Sequence, residues 1–327
     1  MSSTPRPVTR PAASAAVRRA RLGLVLALAT AVCFGSSGAL ARGLIDAGWS
    51  PGAAVTARVW VAALILLVPA LFAMRGRWLL LRRNIGTLLL YGAFAVGATQ
   101  LFYFQAVAVM DVSVALLIEY MSPVAVMLWL WLRRGERPTG RTIVGAIVAI
   151  AGLALVLEVF SGIAANTAGV LWALGAMVGS ATYFIISARR GDGALPPIAL
   201  AGFGLLTGAI GLTLASLVGI LPWRSSTADV AFLTGSVAWW VPVVGIGAIA
   251  GALAYALGII STRMLGSRLA AFVALSEVVA AALFGWALLG QTPGIWQVVG
   301  GVLILAGVIA VRLGEPDEVE SVTIEPV

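Results

Sequence analysis

Windows of about 20 predominantly apolar residues follow one another along nearly the whole chain, separated by short polar stretches that carry most of the arginines. A helix of that length rises about 30 Å, the thickness of the hydrocarbon core of a bilayer. Unsatisfied backbone amides are costly in lipid, so each window is expected to be a helix, and the period-2 alternation of a membrane barrel is missing. Ten spans fit, at roughly 22–42, 52–73, 85–109, 111–132, 141–160, 167–188, 196–220, 237–260, 267–289 and 294–313. The joints between them are short. The pattern therefore predicts an all-α membrane protein with one membrane domain, a basic segment at 1–21 and an acidic tail at 314–327.

Composition agrees: the 327 residues are 61% hydrophobic and 10% charged with a mean hydropathy of +1.04, which excludes an ordinary soluble globule. The single cysteine, Cys33, has no intramolecular disulfide partner. There is no histidine, which removes imidazole metal ligands, histidine proton relays and histidine-based triads together. No catalytic constellation, metal site or cofactor is predicted. The opening "MSSTPRPVTRPAASAAVRRAR" resembles the basic start of a signal peptide, but no small-residue cleavage site follows the apolar segment. The first span is expected to be retained.

Every basic residue is an arginine, and basic residues concentrate on the cytoplasmic side of short loops. With the N-terminus inside, the cytoplasmic segments are the head, "MRGRWLLLRRN", "RRGERPTGR", "RRGDG", "STRMLGSR" and Arg312. Only Arg42 and Arg224 then lie outside, and Arg58 falls within the second span. Both termini are therefore expected in the cytoplasm of a multi-pass protein of the inner or plasma membrane. The net charge of +8 would suit a nucleic-acid partner, but the arginines sit at helix ends rather than on one continuous face, so none is predicted.

An internal repeat shows in "GERPTGRTIVGAIVAIAG" at 135–152 and "GQTPGIWQVVGGVLILAG" at 290–307. At a constant offset of 155, Gly135, Pro138, Gly145 and Gly152 fall on Gly290, Pro293, Gly300 and Gly307. The repeats would be 22–160 and 161–313. Five helices is an odd number, so the second copy enters the membrane from the opposite side, giving two inverted five-helix repeats of the kind found in secondary transporters. Other small-residue pairs, Gly175/Gly179, Gly204/Gly208 and Gly247/Gly251, are expected to let helix backbones pack closely.

Two carboxylates interrupt the apolar windows. Glu119 in "LLIEYMSPV" lies about 12 Å into span four, and Glu277 lies at comparable depth in span nine from the opposite face. Charges at such depth usually face a cavity and mark ion or substrate paths, and acids there can serve proton exchange. Pro123 cannot donate to the carbonyl of Glu119, so a carboxylate and a freed carbonyl are expected at one kinked point that favours cations. Arg58, from span two, either pairs with Glu119 or receives a substrate carboxylate. Weaker candidates for lining the path are Ser36, Ser37, Gln100, Tyr103, Gln105 and Tyr183, whose types are more often interhelical hydrogen-bond partners. Trp49, Trp223, Trp239 and Trp240 suit interfacial belts.

The stretches "GALARGLIDAGWSPGAAVTARVWVAALIL", "LLLYGAFAVGATQLFYFQAVAVMDVSVALLIEYMSPVAVMLW" and "ALSEVVAAALFGWALLGQ" resemble the EamA-type drug/metabolite transporter superfamily, closest to its threonine/homoserine exporter branch. The resemblance implies a ten-helix inner-membrane carrier exporting amino acids or related metabolites in exchange for protons. It matches Arg58, Glu119 and Glu277 to charged residues of the family's second, fourth and ninth spans. Two departures stand out. Val278 occupies the place of the family's proline, so the second repeat is expected to lack the kink of the first, and Gln291 stands where a glutamate is frequent. The expected partners are a small-molecule substrate, protons and lipid, with a homodimer left open. An exporter of lipophilic cations or drugs is the alternative; a channel and an intramembrane enzyme fit less well.

Overall fold

A computed structural model describes residues 10–135, 137–157, 166–187, 195–265 and 273–314. Among them, six helices are long and apolar enough to cross a membrane: Arg21–Asp46, Pro51–Ala73, Ile85–Val107, Val112–Arg133, Pro197–Leu217 and Trp240–Ser261. Gly140–Val156, Ser276–Leu289 and Ile295–Val311 are shorter apolar helices. The basic head apart from residues 10–21, and the acidic tail, lie outside the described residues.

The first helix, α1 (Arg10–Asp46), is followed by α2 (Pro51–Ala73), whose start is set by Ser50. The Ser50 hydroxyl accepts from Ala53 N at 3.2 Å while Pro51 supplies the fixed φ suited to a first turn. After the short α3 (Trp78–Arg83), α4 (Ile85–Leu90) runs through a widened π-helical stretch at Tyr91–Ala98 into α5 (Thr99–Val107). Span four is split into α6 (Val112–Glu119) and α7 (Ser122–Arg134), followed by α8 (Gly140–Val156), α9 (Thr167–Ser187) and α10 (Pro197–Leu217). A hairpin of β1 (Val230–Phe232) and β2 (Gly235–Val237) precedes α11 (Trp240–Val244), a second π-helical stretch at Gly245–Leu253, and α12 (Ala254–Leu265). The last two are α13 (Ser276–Leu289) and α14 (Ile295–Gly314).

Structural landmarks recur at the offset of 155 seen in the sequence. The π-helical stretches begin at Tyr91 and Gly245, within one residue of that spacing. Gly135 and Gly290 end α7 and α13 with φ of 69° and 73°, a left-handed conformation that glycine adopts without steric cost. The interruption at Tyr120–Met121 also has its counterpart, at Leu275. This corrects the expectation that the second repeat, having Val278 in place of proline, would lack a kink. At this break Ser276 Oγ donates to Val273 O at 2.6 Å, and Val278 N turns to Leu275 O at 3.2 Å, with no proline in the following turn.

Side chains are distributed as a lipid solvent dictates. On α8, Ile143, Val144, Ile147 and Ile150 point out as an exposed apolar stripe, while Gly145, Ala146, Ala149 and Gly152 are buried. That small-residue face lies against α14. A Cβ built on Gly145 would come within 2.6 Å of Gly307 O, and one on Gly152 within 2.6 Å of Gly300 O. The pairing is reciprocal and antiparallel. The smaller pairs also admit close neighbours: Gly204 faces the Tyr91 ring, Gly208 the Gly92 carbonyl, and Gly251 the Ala62 methyl. Trp49 departs from the interfacial expectation, being buried with Nε1 donating to Ser226 O at 2.8 Å and its ring stacked on Trp239. Trp223 and Trp240 are exposed.

Candidate functional site

The site is built around the break in span four. Glu119 is the last residue of α6 and Pro123 sits in the first turn of α7, so the proline starts a new helix rather than bending an unbroken one. Around it Tyr120 N donates to Leu116 O at 2.9 Å, Met121 N to Ile118 O at 3.1 Å and Val124 N to Met121 O at 2.9 Å. No amide proton is left to take up the Glu119 carbonyl in the ordinary helical register. The Glu119 side chain is partly exposed and makes no hydrogen bond or ion pair with any described residue.

Glu277 occupies the first turn of α13, immediately after the second break. Its Oε2 accepts from Tyr120 Oη at 2.7 Å, and the same phenol lies 3.1 Å from Ala274 O. One proton faces two acceptors. The two acids are not at equivalent places: Glu119 precedes the break of its span, and Glu277 follows the break of its own. Both lie near the Arg58 guanidinium, the positive charge of the site, without forming an ion pair with it.

Arg58 projects from α2 and is almost fully buried, with 4% of its surface accessible. Its Nη1 donates to Ser37 Oγ on α1, its Nη2 donates to Ala250 O at 3.2 Å in the second π-helical stretch, and its guanidinium lies 5.6 Å from the centre of the Phe104 ring. It thus meets neutral acceptors, and of the two alternatives for Arg58 the structure contains no direct pairing with Glu119. An arginine bonded this way ties three segments of the chain together and supplies positive potential without closing on either acid.

The remaining candidates divide. Tyr103 is buried beside Gly38, where its hydroxyl leaves no room for a Cβ, and it belongs to the charged cluster. Ser37 joins through Arg58. Tyr183 packs on Tyr91 with ring centres 5.7 Å apart. Ser36 turns back to its own helix, donating to Cys33 O at 2.7 Å, and Gln100 and Gln105 make no hydrogen bond among the described residues. These three are not brought to the acids by any bond.

Sequence reasoning passed over Tyr120, Tyr255 and the Ala250 carbonyl. Tyr120 directly follows Glu119, and Tyr255 is a lone phenol among small residues in "GALAYALG", so both carried a signal. A backbone carbonyl carries none. The assembled group of two acids, one sealed arginine and several phenols can hold a small cation or exchange protons. Among the described residues no cluster of His, Cys, Asp or Glu suits a metal ion.

Apolar outer surfaces around a buried polar cluster at broken helices define a membrane transporter. The chain belongs to the EamA-like transporter family, whose model matches it twice, over residues 21–158 and 167–313. It is 27% identical over 209 residues to an uncharacterized transporter of Archaeoglobus fulgidus, a match covering 63% of this chain and 69% of that protein. A solved structure titled only "Crystal structure of protein" is similar in fold, with a TM-score of 0.56, 19% identity, and coverage of 92% of this chain and 98% of that one.

Proposed function

We propose that the protein is a secondary active transporter that exports small metabolites, amino acids such as threonine or homoserine among them, in exchange for protons by alternating access. In this reading ten spans form two inverted five-helix repeats in the inner or plasma membrane, with both termini cytoplasmic. The fold supports the repeat through the reciprocal Gly145/Gly307 and Gly152/Gly300 contacts, in which each pair maps onto the other at an offset of 155. An antiparallel crossing of two equivalent helices is what a two-fold axis in the membrane plane requires. The single observation that carries the transport chemistry is Glu119: a partly exposed acid, unbonded, at a helix break within a membrane span.

A second reading, export of organic cations, draws support from Arg58. Its guanidinium is covered by Ser37, Ala250 O and Phe104, which leaves the two partly exposed acids as the accessible charged groups of the cluster. Arg58→Ala in cells given a panel of amino acids and lipophilic cations separates the two. If Arg58 receives a substrate carboxylate, amino-acid efflux falls about tenfold or more while cation efflux persists. Equal loss of both, in protein that still folds, would assign Arg58 to scaffolding and favour the cation reading.

A further inference from the structure

We propose that Gln291 and Tyr120 are positioning residues that fasten the half-helix carrying Glu119 to the second half of the chain and thereby hold one end of the transport path shut. The half-helix α6 is eight residues long and ends at Glu119. Asp111 is placed to cap its N-terminus, but the Asp111 side chain makes no cap hydrogen bond. The Val112 N–H is taken instead by Gln291 Oε1 at 3.2 Å, from a residue 179 positions further along the chain. Gln291 is itself fixed, since its N donates to Gly285 O at 3.1 Å and its side chain lies over Gly285, where a Cβ would stand 2.9 Å from Oε1. The other end of α6 is held by Tyr120, through its bond to Glu277 Oε2.

Both fastenings reach α13 or the turn after it, and α6 packs along α13. Within its own half, α6 runs into its neighbours through the turn at 108–111 and the break at 120–121, where the backbone leaves helical geometry, and it packs on α5; from the second half it meets α9 as well as α13. A strut bonded at both ends to one body and hinged at both ends to the other moves with the first. The position of Glu119 is therefore governed by the second half of the chain. At the same end a further contact crosses between the halves: Phe232 fills the space over Gly43.

The inference rests on the alternating-access reading, but its test needs no substrate, so the two can fail separately. Full-length protein with Cys33→Ser and a reporter Ala41→Cys is reconstituted in liposomes. Ala41 is buried one helical turn beyond Ser37 on the same face of α1. The rate of labelling by a membrane-impermeant maleimide reads how often that end opens. Gln291→Leu removes the acceptor and is expected to raise the rate about fivefold, the factor that corresponds to one hydrogen bond of ~1 kcal/mol. Tyr120→Phe is expected to raise it similarly. Gln291→Glu keeps an acceptor oxygen near a helix N-terminus and is expected to label at the parent rate. Labelling of Gln291→Leu at the parent rate would overturn the proposal, and so would equal acceleration in the Leu and Glu variants, which would assign the effect to packing.

Discussion

Glu119→Gln is expected to reduce proton-dependent transport on the order of 100-fold, the scale on which proton-transfer groups matter. The substitution keeps the shape of the side chain and removes only its capacity to exchange a proton or carry a charge. Because the Glu119 carboxyl makes no hydrogen bond or ion pair among the described residues, no bond is broken, and the stability is expected to stay within about 0.5 kcal/mol of the parent. Transport driven by an imposed pH gradient in proteoliposomes, with thermal unfolding of the same preparation, gives both numbers. Unchanged flux would remove Glu119 from the mechanism. Glu277→Gln is a useful contrast, since the amide oxygen can still accept from Tyr120 and the link across α6 and α13 survives.

Gly307→Ala should produce the largest loss of stability from a single methyl group. Its Cβ would lie 2.5 Å from Ala149 N and 2.5 Å from Gly145 O, both backbone atoms that cannot rotate away. The helices α8 and α14 must separate to admit it. In lipid their association depends on van der Waals contact, so the cost is expected to reach about 1–3 kcal/mol. Gly211→Ala is the control: it lies on α10 with nothing within 4 Å of its would-be Cβ, and replacing a helical glycine there should be neutral or stabilising by about 0.5 kcal/mol. Thermal unfolding in detergent compares the two directly. Equal melting temperatures would refute the close crossing.

How much of this was legible in advance depends on where each feature stores its information. The helices were legible because the bilayer tests composition window by window, and a run such as "VWVAALILLVPALFA" passes on its own. The glycine periodicity at 145, 152, 300 and 307 was legible because only small residues permit backbone contact. Glu119 and Glu277 stood out because a carboxylate within an apolar window is costly. The partner of Arg58 was not legible, since Ala250 contributes a carbonyl that any residue has. Nor was the break at Leu275, since no proline marks it as Pro123 marks the first.

The amino-acid sequence by itself determined that this chain lives in a membrane, that its halves repeat, and which charged side chains interrupt its apolar segments. Each of those follows from the free energy of placing a given residue type in hydrocarbon, which is local. Only the tertiary structure decided that Arg58 is sealed among neutral acceptors, that Tyr120 reaches Glu277, and that Gln291 caps a helix 179 residues away. Such pairings depend on which distant segments arrive at the same point and on the direction of single hydrogen bonds, and residue type constrains neither.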